Sequence, residues 1–237
     1  MSKRHPKHKG RKPSAPANAA GRPSWLPPAL IAGALVLAVV AGVWFWRSSQ
    51  APVSSVAAGS PGASPPWTAG NANAPVTVEE FGDYQCPPCG TVYSELEKIR
   101  EDYGDRVRLV FRHYPITRLH PNALAAAHAA EAAGLQGKFW EMHGQLYRGQ
   151  KSWENSADAP ARFLAYARAL GLDAERFARD VNGEAASRRV VADHERARSL
   201  GVDGTPSFFV NGRKLPPDAF RGKDVRAAID AALGGQP

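Results

Sequence analysis

The sequence predicts a mixed α/β domain, a small sheet with a helical insertion between its second and third strands. Three observations lead there. Two strand-type runs, "VTVEEF" from Val76 and "RVRLVFRHYPI" from Arg106, enclose one helical pattern. A long alanine-rich block at helical spacing follows the second run. Late in the chain, "PSFFV" and "RKL" flank Asn211-Gly212, a dipeptide that favours a type I′ hairpin.

Each element has its own signal. Val76 to Phe81 alternates and is rich in β-branched residues. In "TVYSELEKIREDYG", Val92, Leu96 and Ile99 fall on one helical face, and Gly104 stands past the end. The second strand stops at Pro115. His120 or Asn122 starts the alanine-rich block, with Pro121 suited to a first helical turn. Leu135, Phe139, Met142 and Leu146 then line a single face. "ARFLAYARALG" closes on Gly171, Asp173 starts a short helix, and Glu184 to Leu200 forms another, capped by Gly201. A last helix runs from Lys223 to Leu233. The folded domain is expected over residues 75–237, with its insertion at about 120–200.

What precedes the domain accounts for the basic character of the chain. Residues 1–47 hold Lys3, Arg4, Lys7, Lys9, Arg11, Lys12, Arg22 and Arg47, and no acid. The other 22 basic residues match the 22 acids, so the remainder is formally neutral and has no general attraction for nucleic acid. Residues 1–24 read as a basic cytoplasmic tail and 25–47 as a transmembrane anchor. From Ala29 to Trp46 there are 18 uncharged residues, a helix of about 27 Å. Trp25, Trp44 and Trp46 stand at its two ends, and the excess of positive charge before it leaves the N-terminus inside. A signal peptide cut after Val56 to Ala58 is the alternative, although the apolar run is long and ends in bulky rings. On either reading the domain is exported, to the periplasmic or extracellular face. Residues 48–74, rich in Pro, Ser, Ala and Gly and uncharged, read as a flexible linker; a coil of that length reaches roughly 30 Å.

The chain has two cysteines, Cys86 and Cys89, within "FGDYQCPPCG". Bridging residues so close in sequence removes little unfolded-chain entropy, so a purely structural disulfide explains little. One Cys-x-x-Cys supplies half of a tetrahedral zinc site. His113, His120, His128, His143 and His194 show no spacing that would complete it, so no metal is expected. A redox pair explains more. Cys86 stands where strand and turn meet the helix, and Pro87 and Pro88 fit the opening positions, which lack intrahelical N–H partners. A Cys86 thiolate would face the positive helix end and the Cys89 N–H. Its pKa falls, the reduced form is stabilised, and the disulfide becomes the reactive form. Cys89, inside the helix, would resolve mixed disulfides.

With these residues in hand, the sequence resembles the DsbA-type thiol:disulfide oxidoreductases, which carry a helical insertion on a thioredoxin fold. The resemblance covers about residues 67–235 and rests on "GNANAPVTVEEFGDYQCPPCG", "FRHYPI", "LHPNALAAAHAAEAAGLQGKFWEMHGQLY" and "GVDGTPSFFVNGRKL". It implies a redox-active Cys86–Cys89 disulfide, and a cis Pro206 beside it with Thr205 binding substrate backbone. A proline without an N–H also leaves a notch where an extended peptide can add as a strand. The resemblance further implies that Glu80 is the acid beneath the dithiol, shuttling a proton for Cys89; Glu79, on the opposite face, fits a solvated carboxylate. The family's much-studied oxidases carry a histidine just before the second cysteine. Pro88 stands there, so a milder oxidant is expected.

The sequence therefore points to a membrane-tethered enzyme that donates its disulfide to the thiols of exported proteins, with no cofactor. A quinone-linked membrane thiol oxidase is the reoxidant the resemblance implies, and the chain is expected as a monomer. A reductase or isomerase on the same fold is the first alternative, and a peptide-binding chaperone module the second.

Overall fold

The computed structural model describes residues 37–42, 60–219 and 222–234. The chain divides into two units, Met1–Pro52 and Val53–Pro237. In the first unit, residues 37–42 are helical and exposed. Most of the expected anchor at 25–47, with Trp25, Trp44 and Trp46, lies outside the described residues. Among the described residues, no helix is long and apolar enough to cross a membrane.

The second unit is built on a five-stranded sheet in the order β1-β3-β2-β4-β5. β2 (Val76–Gly82) and β3 (Val107–His113) are parallel, from Val76 opposite Val107 to Gly82 opposite His113. The helix between them, α1 (Pro87–Tyr103), makes the crossover that parallel neighbours require. β4 (Ser207–Val210) runs antiparallel to β2 and turns through Asn211-Gly212 into β5 (Arg213–Lys214). Both turn residues have positive φ, 47° and 78°, as a two-residue primed turn demands.

The expected linker at 48–74 ends earlier than its composition suggests. Trp67–Gly70 is a strand, β1, antiparallel to β3 with Trp67 opposite Phe111. The Trp67 ring stacks on Phe139 at 4.7 Å, and its Nε1 donates to Glu131 at 2.9 Å. The ring lies so close over Gly134 that a Cβ there would collide with it. Upstream, Ala63 is buried, and its carbonyl accepts from Arg112. The run "WTAG" is too short to show a period. The open edge of β3 and the pocket for the indole make it a strand.

The helical insertion lies between β3 and β4, as expected. It comprises α2 (Ala123–Gly134), α3 (Phe139–Arg148), α4 (Gln150–Trp153), α5 (Ala159–Ala169), α6 (Ala174–Val181) and α7 (Glu184–Ser199). The alanine-rich block breaks at Gly137, where φ is +77°. Phe139, Met142 and Leu146 still share a buried face on α3, but Leu135 ends α2 instead of joining them. Asp173 caps α6 by accepting from the Arg176 N–H at 2.9 Å. The last helix, α8, is Lys223–Gly234.

Three apolar clusters meet at the sheet. Val92, Leu96 and Ile99 of α1 pack with Val225 and Ile229 of α8 over Val76, Val78, Leu109 and Phe208. Phe81 and Phe209 pack with Ala197 and Val202 elsewhere. The third cluster joins Cys86, Cys89, Tyr84 and Phe111 to the insertion through Ala126, Phe139, Met142, Leu146 and Trp153. The dithiol is therefore part of the seam between sheet and insertion.

Candidate active site

Cys86 is the N-cap of α1, with extended backbone (φ −68°, ψ 122°), and Pro87 and Pro88 open the helix as expected. Both cysteines are free thiols. The geometry is therefore that of the reduced pair, the dithiol counterpart of the expected Cys86–Cys89 disulfide. Cys86 is 5% exposed and Cys89 fully buried. The chain returns to them at the loop before β4, where the Thr205-Pro206 bond is cis. The Cys86 thiol donates to the Thr205 carbonyl at 3.4 Å. Thr205 Oγ1 is buried without another partner, so its hydroxyl is free to donate to a thiolate.

The two sulfurs are electrostatically unequal. Cys86 is lowered to about 6, chiefly by the hydrogen bond from the Cys89 thiol and also by the Thr205 hydroxyl and the Cys89 N–H; burial and the Asp83 charge oppose this. Cys89 is pushed well above the usual thiol value, first by burial and then by the bond it donates to Cys86. Near neutral pH the first sulfur is a thiolate and the second keeps its proton, an ordering that suits nucleophile and resolving thiol.

Glu80 lies on β2 beside Phe111 of β3 and Phe208 of β4. It is 5% exposed, and its Oε1 has no partner. Burial, then the Cys86 charge, raise its carboxyl to about 8. A carboxyl that holds its proton at neutral pH can exchange it with a buried thiol. Glu79 is not the solvated group expected. It is buried between Arg112 and Arg196, each donating to it at 2.8 Å, and these pairs hold its carboxyl below the usual value against burial. Both faces of this central strand are covered.

Sequence reasoning missed the residues that fix the turn at Cys86. Asp83 is buried, and its carboxylate accepts from the N–H groups of Gln85 and Ile116 and from His120 Nδ1 at 2.7–2.8 Å. Gln150 of α4 donates to the carbonyls of Tyr84 and Cys86 at 2.8 and 2.9 Å. Gln85 accepts from the Asn122 N–H and donates to the Glu154 carbonyl. The insertion thus holds the turn by polar contacts. Their only signal in sequence is polar residues inside a stretch that must be buried, which looks like an ordinary loop.

One group of metal-type side chains lies together among the described residues: His113, Glu131 and Asp193. Their carboxylates are already engaged. Glu131 pairs with His113, Arg189 and Trp67, and Asp193 pairs with Arg112 and accepts from the Ala63 and His113 N–H groups. The cluster reads as an ion-pair network fastening the segment before β1.

Comparison with known proteins agrees with this geometry. A family model described as thioredoxin matches residues 63–231. The solved structure of a thioredoxin-like oxidoreductase from Silicibacter pomeroyi is similar at 33% identity and a TM-score of 0.61, over 72% of this chain and 94% of that one. BdbD from Bacillus subtilis is similar at 25% identity and a TM-score of 0.63, over 73% and 97%. Alpha-DsbA1 from Wolbachia pipientis, at 19% identity and a TM-score of 0.60, shares the fold over 72% and 94%. Among curated proteins, a Na+/H+ antiporter NhaA 1 from Salinispora arenicola is 40% identical over 166 residues, 70% of this chain and 24% of its own. An NhaA 3 from Salinispora tropica is 43% identical over 145 residues, 61% and 21%. The chain thus spans about a quarter of the length of these antiporters.

Proposed function

From the premise that this chain belongs to the thioredoxin family, as a thioredoxin-like oxidoreductase, we propose that it exchanges thiols and disulfides with exported proteins, donating a Cys86–Cys89 disulfide. The observation that carries this reading is the inequality of two adjacent sulfurs at one helix tip, the outer held against Thr205 and the inner beside a protonated acid.

In the donor direction a substrate thiolate attacks Cys86 Sγ. The Cys86–Cys89 bond breaks, and a mixed disulfide forms beside Pro206. The Cys89 thiolate that leaves takes the proton of Glu80. A second substrate thiolate then attacks the substrate sulfur of the mixed disulfide. Substrate leaves as a disulfide, and Cys86 leaves as a thiolate stabilised by the Cys89 thiol and the Thr205 hydroxyl. The substrate is oxidised by two electrons and the dithiol carries them. Reoxidation by a quinone-linked membrane thiol oxidase completes the cycle. No metal or cofactor takes part. The roles of Pro87 and Pro88 are to open α1 and leave the Cys86 sulfur at its tip.

The domain works outside the cytoplasm, tethered by residues 25–47 with the N-terminus inside. The relatives named as Na+/H+ antiporters match this chain over about a quarter of their own length, and their ion transport is not assigned to it. Trapping tests the function. In Cys89→Ala the Cys86 thiolate can still attack a disulfide of an exported protein, but no Cys89 thiol remains to break the resulting mixed disulfide. Exported proteins should therefore accumulate covalently on Cys86 and be freed by reductant. Adducts that persist in Cys86→Ser, or none in Cys89→Ala, would overturn it. The cellular redox state of the pair separates donor from reductase, since a donor is kept mostly oxidised.

A further inference from the structure

Glu80 must regain the proton that it gives to Cys89, and little of its own surface reaches solvent. The acid is covered by the sheet and by the dithiol. Its Oε1 is nevertheless unpartnered, and the carboxyl borders a small internal cavity lined also by Tyr93, Leu96, Glu97, Trp140 and His143. The room there for the centre of a water-sized sphere is about 10 Å³, close to what one buried water occupies. A water needs two or more polar partners, and Glu80, Tyr93, Glu97 and His143 bring such groups to the walls.

Outside lies a second cleft of about 410 Å³. It shares Tyr93, Glu97, Trp140 and His143 with the inner cavity, and Gly70, Arg100, Glu141 and Arg148 complete its walls. Residues 203–207 line neither, so this opening is separate from the Cys86 face at Thr205-Pro206. We propose that a water in the inner cavity carries the proton between Glu80 and the outer cleft, giving the site a proton exit between α1 and α3.

Each group at the partition has a part in it. Glu97, about one-third exposed and paired with Arg100 at 2.9 Å, lines both the cavity and the cleft and so stands at the partition between them. Arg148 donates to the Tyr93 hydroxyl at 2.7 Å and holds that ring in the wall. His143 is hydrogen-bonded through Nδ1 to the Tyr84 hydroxyl at 3.0 Å. Burial lowers it to about 3, so it stays neutral and lines the path without holding a charge. The other titratable groups near Glu80 are Tyr84, Cys86 at the N-cap of α1, Cys89 of α1 and Tyr147 of α3. In the donor direction the proton moves from bulk through the water to the Glu80 carboxylate, replacing the one given to Cys89. In reoxidation it runs outward. Water is the only co-reactant.

The inference rests on the thiol-exchange reading, and the test separates the two. Val78→Ile adds one methyl group to the wall of the inner cavity. The reduced full chain is mixed with a small disulfide, and the step in which Cys89 attacks the mixed disulfide at Cys86 is followed by stopped flow in H2O and D2O. In this step Glu80 must lose its own proton through the water before it can take that of Cys89. General base catalysis contributes about 10²–10⁴ in rate, so expelling the water should slow this step about tenfold and change its solvent isotope effect. In a Glu80→Gln background the same methyl group should change the rate less than about twofold, the additivity limit for groups no longer linked. Should Val78→Ile fail to fold, Leu96→Phe fills the same cavity. Equal slowing in both backgrounds, or none in either, overturns the exit. A wild-type chain without any thiol exchange overturns the parent reading and the exit with it.

Discussion

At the scale of single residues, the site keeps a group in a form that water would not allow. Glu80 is held at about 8 against an ordinary carboxylate value of 4.5. A raised acid contributes stability that is complete below the unfolded value and lost as pH rises through the folded one. At pH 7 the folded chain must keep a proton that the unfolded chain has released, at a cost of about 3 kcal/mol. Glu80→Gln removes that cost with nearly the same shape. The variant should be more stable than wild type by about 2–3 kcal/mol at pH 7, with the gain vanishing toward pH 4.5, while the Cys89 step slows. Denaturant titrations across this range check it. A variant that gains nothing at pH 7 would mean that Glu80 is ionised and solvated. The stability given up at this residue is what a proton donor under a thiol requires.

At the scale of elements, most of what could be read from sequence was local. Val92, Leu96 and Ile99 announced α1, Asp173 announced α6, and Asn211-Gly212 announced the hairpin, because periodicity, caps and turn chemistry act between near neighbours. Cys86 and Cys89 were legible from their place between strand and helix, and Glu80, Thr205 and Pro206 through the family pattern; the fold brings the five to one helix tip and the strands beneath it. Asp83, Gln85 and Gln150 were not legible, since their value lies in partners 30 or more residues away. β1 was missed for the same reason. Its four residues are a strand only because β3 offers an edge and Phe139, Glu131 and Arg189 receive Trp67. Trp67→Ala should therefore cost about 3 kcal/mol, the lower end for a large aromatic because the ring is partly exposed. Chemical denaturation measures this. A loss under about 0.5 kcal/mol, typical of surface positions, would show β1 to be an appended strand with no share in the core.

At the scale of the whole molecule, folding and redox state are linked through one proton. Cys86 falls from an ordinary 9 to about 6 in the folded dithiol. A depressed acid contributes stability that is complete above the unfolded value and lost as pH falls through the folded one. The folded dithiol should therefore gain on its unfolded form from pH 6 upward, by about 1.4 kcal/mol per pH unit and about 4 kcal/mol in all by pH 9. The disulfide form has no Cys86 thiol to ionise and cannot share this gain. Its own advantage, the entropy of a small closed loop, does not depend on pH. Glu80 runs the other way, but its first cause, burial, is common to both forms and cancels in their difference. Only the smaller part due to the Cys86 charge remains, and it trims the gain above pH 6. Subtracting the unfolding free energy of the oxidised chain from that of the reduced chain isolates the thiolate. That difference should be level below pH 6, rise between pH 6 and 9, and turn down above pH 9, where the unfolded chain also ionises Cys89 and the folded chain does not. By the closed cycle of folding and reduction, the same rise is the driving force with which the folded chain gives up its disulfide. Paired guanidinium titrations at pH 5, 7 and 9 measure it. A difference that stays level across that interval would mean that folding does not favour the Cys86 thiolate, and ionisation of Cys86 would then add nothing to the driving force for disulfide donation.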